Sequence, residues 1–307
     1  MMTWSGKGIV VPLVTPFDSD GRFAPQAMRD LVDRVVGNGA SGVMPTGLTG
    51  EGPLLKTSET LTVWESTFAC VASRVPVLPA IFTTTTRQAV ELASHAESFG
   101  AAGILAAPIL PELYSGRSLD DVERFYKSIC KHITCPLILF NYPTFTGFDL
   151  TPESVQRLAA IEQVTYVKES SADSKRVHGI KRLCGERVEV ICGAPQVALE
   201  CFALGCRSWI TGLLNVIPAL GCELLCACGA KSNLAKARRI YFDLVLPLAE
   251  LLEVTLNPMG VIKAALRAQG IEVGAPRPPG ASLSSKHNGP LQAVLNEIPR
   301  IKRVSNE

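Results

Sequence analysis

Eight short apolar runs, rich in Val, Ile and Leu, recur along the chain at residues 8–14, 42–45, 76–82, 103–107, 136–142, 164–168, 188–192 and 208–212. They are apolar at nearly every position rather than at alternate ones. That pattern predicts strands buried on both faces, as in a parallel sheet. Between them lie longer segments with helical spacing, at 25–37, 58–73, 86–99, 119–132, 151–160, 173–184 and 196–204. In the first of these Met28, Leu31, Val32 and Val35 fall on one face. Thr151-Pro152-Glu153 places threonine at an N-cap and proline at the first helical position. Gly100, Gly185 and Gly205 stand where helices should end. Strict alternation over eight units predicts an α/β fold, a (β/α)8 TIM barrel over residues 1–216, rather than a doubly wound sheet. Residues 217–307 read as a C-terminal helical region packed on the barrel, with helices at 218–228, 234–253, 258–269 and 290–301 and a turn-like stretch at 274–280.

Composition narrows the function classes. Of 307 residues, 47% are hydrophobic and 19% charged, enough to bury a large core and too apolar for disorder. The net charge is +2 and the 30 basic residues are scattered, with no basic stripe interleaved with aromatics, so no nucleic-acid partner is expected. No run approaches the roughly 20 apolar residues of a membrane span. The N-terminal segment MMTWSGKGIVVPLVTPF has only a short apolar run and no small-residue cleavage site, so no signal peptide is expected. Most of the ten cysteines sit inside apolar runs, among them Cys192, Cys222, Cys226 and Cys228. They read as small core hydrophobes of a reducing, cytoplasmic setting. Cys222 and Cys226 share helical spacing, but no CxxC occurs and no histidine follows nearby, so no metal is expected.

In a barrel of this kind the chemistry gathers at the C-terminal ends of the strands. Polar residues end four of the predicted strands, at 46–51, 141–147, 168–171 and 193–196. Lys168 directly follows Val164-Thr165-Tyr166-Val167. A lysine buried among apolar groups loses its proton more readily and becomes a nucleophilic amine. The residues alone leave a plainer role open, a rim lysine paired with Glu169 or Asp173. In Thr46-Gly-Leu-Thr-Gly-Glu51, two glycines let the backbone turn tightly, so N–H groups and the Thr49 hydroxyl can face a carboxylate. An ordinary turn with a threonine cap fits the same residues. Phe140-Asn-Tyr-Pro-Thr-Phe-Thr-Gly147 reads as a rigid loop.

Taken together and in order, these motifs resemble the dihydrodipicolinate synthase / N-acetylneuraminate lyase family of class I Schiff-base aldolases. The likeness runs from about Lys7 to Pro279 and covers GIVVPLVTPF, GLTGE, NYP…TG, VKES, ICG, ITG…N, Leu256-Asn257-Pro258 and the RPP segment. It implies that Lys168 forms a Schiff base with pyruvate or another small 2-oxo acid. It implies that Thr49 and nearby N–H groups, including that of Gly50, grip the substrate carboxylate. Gly193 and Ile210 match positions whose carbonyls lie near the lysine, and Ser170 matches one that bonds substrate in some members. The resemblance further implies a homo-oligomer, tetramer or dimer, with no metal or organic cofactor.

Three positions of the proton relay, and others in the substrate pocket, depart from the family pattern. The usual proton-shuttling tyrosine is Phe140, which has no hydroxyl. The first polar residue of the loop is Leu48, and the relay tyrosine of the synthases falls in Pro108-Ile-Leu-Pro111. Tyr142 and Tyr114 are the nearest hydroxyls in sequence. The arginine that holds a distal carboxylate in the synthases corresponds to Phe145, and the polyol-binding acids of sialic-acid lyases correspond to Pro195 and Gln196. These changes imply a substrate with a less charged, more apolar tail, since an unpaired buried charge is expensive. The leading expectation is a lyase, aldolase or dehydratase. The alternative is a non-catalytic paralogue that binds 2-oxo acids, against which the retained Lys168 stands.

Overall fold

The computed structural model describes residues 3–108, 116–229 and 232–304. Eight parallel strands alternate with helices in chain order. The strands are β1 (Gly8–Pro12), β2 (Gly42–Met44), β3 (Ala80–Ile81), β4 (Ile104–Ala106), β5 (Leu137–Asn141), β6 (Val164–Glu169), β7 (Glu189–Cys192) and β8 (Ser208–Trp209). Their order is β2-β1-β8-β7-β6-β5-β4-β3, and a parallel bridge between Val43 and Val77 closes the circle. This is the expected TIM barrel.

The barrel helices are α1 (Pro25–Gly37), α2 (Thr57–Val71), α3 (Thr86–Ser98), α4 (Leu119–Cys130), a single turn α5 (Pro143–Thr146), α6 (Pro152–Leu158), α7 (Lys175–Cys184) and α8 (Ala198–Ala203). The C-terminal helices are α9 (Pro218–Cys228), α10 (Leu234–Ile240), α11 (Leu246–Thr255), α12 (Pro258–Ala268), α13 (Asn288–Leu295) and α14 (Glu297–Val304). The Thr151 start signal acts as read, its hydroxyl accepting the Ser154 N–H at 3.2 Å, and the structure adds a reciprocal cap of Ser118 and Asp121 on α4.

Three elements differ from the expected pattern, and in one of them the helix expected at 290–301 divides into α13 and α14. The run at 76–82 pairs as a strand only at Ala80–Ile81, because Pro76 and Pro79 have no N–H to give a ladder. The helix expected at 234–253 is interrupted by a π-helical turn at Tyr241–Val245. Pro247, at the start of α11, cannot supply the next helical N–H.

Alternation along the strands divides the core in two. Outward residues such as Ile9, Val43, Leu139, Val167 and Trp209 pack under the helices. Inward residues, including Val10, Met44, Ile138, Phe140, Ile191 and Ile210, fill the lumen. Trp4 and Tyr166 close its lower end, with ring centroids 4.7 Å apart. The lumen is therefore an apolar plug, and Lys168 stands on its upper layer, partly exposed at the mouth. No helix among the described residues is long and apolar enough to cross a membrane.

Candidate active site

The β5–β6 register pairs Phe140 with Lys168, and the β6–β7 register pairs Lys168 with Ile191. The lysine therefore rises between two apolar side chains on the top layer of the plug. Its Nζ lies 4.9 Å from the centroid of the Phe140 ring. A ring face attracts an ammonium, yet burial outweighs that attraction and lowers the Lys168 pKa to about 8. Neither acid proposed for a rim ion pair reaches it. Glu169 points to the other side of the strand, where it accepts from Asn141 Nδ2 at 2.8 Å and from the Ser171 N–H at 2.7 Å. Asp173 lies 3.8 Å from Arg176. Lys168 is thus an unpaired amine among the described residues.

The residues beside it depend on missing side chains. A Cβ on Gly193 would come within 2.0 Å of Ser170 Oγ and 2.7 Å of the Glu169 carbonyl. Glycine there lets Ser170 lie against β7, where its buried hydroxyl has no partner among the described residues. Ile210 is fully buried and gives its N–H to the Cys192 carbonyl at 2.9 Å. On the next turn a Cβ on Gly212 would meet Thr49 Oγ1 at 3.0 Å. The glycine admits Thr49 to the barrel mouth.

The GLTGE loop has a sharper division of labour than its sequence suggests. The Gly50 and Gly52 N–H groups both bond the Gly47 carbonyl at 3.0 Å, and the Glu51 N–H bonds the Leu48 carbonyl at 2.9 Å. The Gly50 N–H is therefore used inside the turn. The residue is glycine because a Cβ would press on the Leu13 carbonyl at 2.8 Å. The N–H groups of Leu48 and Thr49 have no partner among the described residues. With the Thr49 hydroxyl they are the donors left for an anion.

What anchors this loop escaped the sequence reading. Glu51 is buried in a left-handed backbone conformation, with φ of 56°, and pairs with Lys263 Nζ at 2.7 Å. Lys263 is 1% exposed, and its Nζ also bonds the carbonyls of Thr15 at 2.9 Å and Ala275 at 3.0 Å. Glu51 Oε2 accepts the Arg277 N–H at 2.8 Å. One signal was present: Lys263 interrupts the apolar stripe of α12 between Val261-Ile262 and Ala265-Leu266.

Two of the remaining candidate positions are hydrophobic in their surroundings as well as in name. Leu48 and Phe145, with Phe82 beside them, pack against the lumen cluster that holds Phe140 and Ile210. Gln196, in the turn after β7, is drawn away to the C-terminal helices. Its carbonyl accepts from the Tyr241 hydroxyl and its amide donates to Glu253. Tyr142 follows Phe140 on the same face and stands at the rim, 37% exposed. Tyr114 lies outside the described residues, as do Ile109, Leu110 and Pro111.

A closed barrel with a desolvated, unpaired lysine at the carboxyl end of its sixth strand is a TIM-barrel protein with an amine-centred site. Residues 5–298 match the Dihydrodipicolinate synthetase family, and the chain belongs to it. It is 34% identical over 266 residues to a 4-hydroxy-tetrahydrodipicolinate synthase of Syntrophus aciditrophicus, spanning 86% of this chain and 88% of that one. Among solved structures it resembles the chloride-inhibited dihydrodipicolinate synthase from Acinetobacter baumannii complexed with pyruvate, at 26% identity and a TM-score of 0.89, covering 95% and 99% of the two chains. A sialic acid aldolase of Ruminococcus gnavus, a catalytic lysine mutant, shares the fold at 22% identity and a TM-score of 0.88, covering 99% of both chains.

Proposed function

We propose that the protein is a class I lyase that makes or breaks the C3–C4 bond, or the C4–O bond, of a small 2-oxo acid, with pyruvate first among the keto acids it binds. The observation that carries this reading is the unpaired amine of Lys168 on an apolar layer. A pKa near 8 leaves about a tenth of it as free amine at pH 7, against about one part in 3,000 at the ordinary lysine value. Nζ adds to the keto carbon, the carbinolamine loses water, and the resulting iminium draws electrons from carbon 3. Loss of a proton there gives an enamine, and water later hydrolyses the iminium to free the lysine. Thr49 Oγ1 and the N–H groups of Leu48 and Thr49 suit the substrate carboxylate. Ser170, with its unpartnered hydroxyl, suits a substrate oxygen.

Relatedness to synthases and the pyruvate complex of the Acinetobacter baumannii relative support the keto acid. The ten cysteines are all free, which suits a reducing compartment such as the cytoplasm. A homo-oligomer, dimer or tetramer, remains the family-based reading.

Borohydride reduction in the presence of pyruvate tests the proposal. The expected result is a mass increment on Lys168, forming faster as pH rises and levelling off above about 8. No increment with pyruvate or any of a panel of 2-oxo acids would sink the Schiff base. One observation favours a second reading, a non-catalytic binder: Leu48 and Phe140 offer no proton relay. That reading predicts an adduct without turnover. On the enzyme reading, protons travel through water and the substrate's own groups. Phe140→Tyr is then expected to raise the rate of pyruvate C3 proton exchange by up to about 10²-fold. An unchanged rate would show that the tyrosine position has no part in proton movement here.

A further inference from the structure

Four aromatic rings form a closed circuit beside Lys168. Phe82 meets Phe140 edge to face, with centroids 5.7 Å apart, and Phe140 meets Tyr142 in the same way at 6.1 Å. Tyr142 stacks on Phe145 at 6.2 Å, and Phe145 returns to Phe82 at 6.1 Å, edge to face. Each ring therefore touches two others, and all separations lie in the range of attractive ring pairs. The circuit is built from the exits of β3 and β5 and from the turn α5. Phe140 is its buried floor, next to the lysine amine. Phe82 and Phe145 are partly buried, and Tyr142 is the exposed lip.

The carboxylates near this wall are committed elsewhere: Glu169 is held by Asn141 and Ser171, and Glu51 by Lys263. Arg117 gives Nη2 to the Thr146 carbonyl at 2.8 Å, and its buried Nη1 has no partner among the described residues. Gln196 is turned to Glu253. The wall itself carries one polar atom, the Tyr142 hydroxyl at the exposed lip, and an uncompensated charged tail is costly against its three phenyl rings. A flat, uncharged ring can lie on faces or edges of all four.

We infer that the Phe82–Phe140–Tyr142–Phe145 circuit is the subsite for the aldehyde partner, and that this partner is an aryl aldehyde. The inference rests on the Schiff-base reading of Lys168 and adds the second substrate to it. In the condensing direction carbon 3 of the Lys168-bound pyruvate enamine attacks the aldehyde carbon. The new carbon–carbon bond takes the enamine's electron pair, the aldehyde oxygen takes a proton from water at the mouth, and hydrolysis of the iminium releases a 4-aryl-4-hydroxy-2-oxobutanoate and free lysine. Cleavage is the reverse, and no oxidant or reductant enters.

The test is condensation of pyruvate with benzaldehyde, with 4-oxobutanoate as a charged competitor and glyceraldehyde as a polyol. Product is read by chromatography, and borohydride trapping with pyruvate alone runs in parallel. The expected ratio of kcat/KM is at least about 100-fold in favour of benzaldehyde over either competitor. Phe145→Arg places a cation in the wall and should shift that ratio toward 4-oxobutanoate by at least about 10-fold. Phe145→Leu, gentler on the fold, should lower benzaldehyde kcat/KM by about 10-fold while pyruvate is still trapped at Lys168. Trapping without benzaldehyde preference, or with no aldehyde accepted, overturns the aryl subsite and leaves the Schiff base standing. Failure to trap pyruvate or any other 2-oxo acid overturns both.

Discussion

Lys168→Ala is expected to lose all borohydride-trapped adduct and all measurable turnover while the barrel stays folded. The reason is local. Lys168 has no ion-pair or hydrogen-bond partner among the described residues, so its removal orphans no other group. Its amine instead carries a desolvation cost that only reactivity explains. Two further variants separate nucleophile from charge. Lys168→Met keeps the length and removes the amine, so it should be inactive and more stable than the parent. The lysine's pKa is lowered on folding, so the unfolded chain holds the proton more tightly. The penalty is thus fully present below about pH 8, shrinks as pH rises, and vanishes toward the ordinary lysine value. The gain in melting temperature from Lys168→Met should follow that window. Lys168→Arg keeps a charge that cannot be shed, and should be both inactive and less stable. An unfolded Lys168→Ala, or a Lys168→Met that melts earlier than the parent at pH 7, would make the lysine structural.

This separation of fold from reactivity also explains what could be read in advance. The barrel was legible because each buried strand is a local run: Val164-Thr-Tyr-Val-Lys168 marks β6 and its catalytic candidate in five consecutive letters. Strand limits were less so, since a ladder needs N–H groups as well as apolar side chains. Pro76 and Pro79 cut β3 to two residues. Likewise Pro247 and Pro299 alter helices whose apolar spacing runs on unbroken. In the site, Lys168, Thr49 and Ser170 stand where their motifs put them. The motif cannot tell which N–H groups a turn consumes, and that of Gly50 is bonded inside the loop. Phe82 went unmarked as a site residue because an aromatic at the end of an apolar run looks like core. Its place is defined only by Phe140 and Phe145, more than fifty residues away along the chain.

The largest effect on stability is expected from Lys263→Met. Lys263 Nζ is ion-paired with Glu51 Oε1 at 2.7 Å and donates to the carbonyls of Thr15 and Ala275. Burial alone would lower its pKa, and the Glu51 carboxylate opposes that. Methionine fills the space but leaves a carboxylate 4% exposed with the Arg277 N–H as its remaining partner. Breaking a buried pair from one side costs about 3–5 kcal/mol, against a whole stability of about 5–15 kcal/mol. Urea titration should show that loss. Adding Glu51→Gln should recover part of it, because the second change removes the uncompensated charge. The pair also links the segment after β1, α12 and the Arg277 segment to the turn that presents Thr49. Variants that remain folded should therefore bind pyruvate more weakly, with KM raised and the pH dependence of trapping at Lys168 unchanged. A Lys263→Met protein as stable as the parent would mean that Glu51 finds another partner. A shifted pH profile would mean that the pair acts on the lysine amine itself rather than on the loop that orients its substrate.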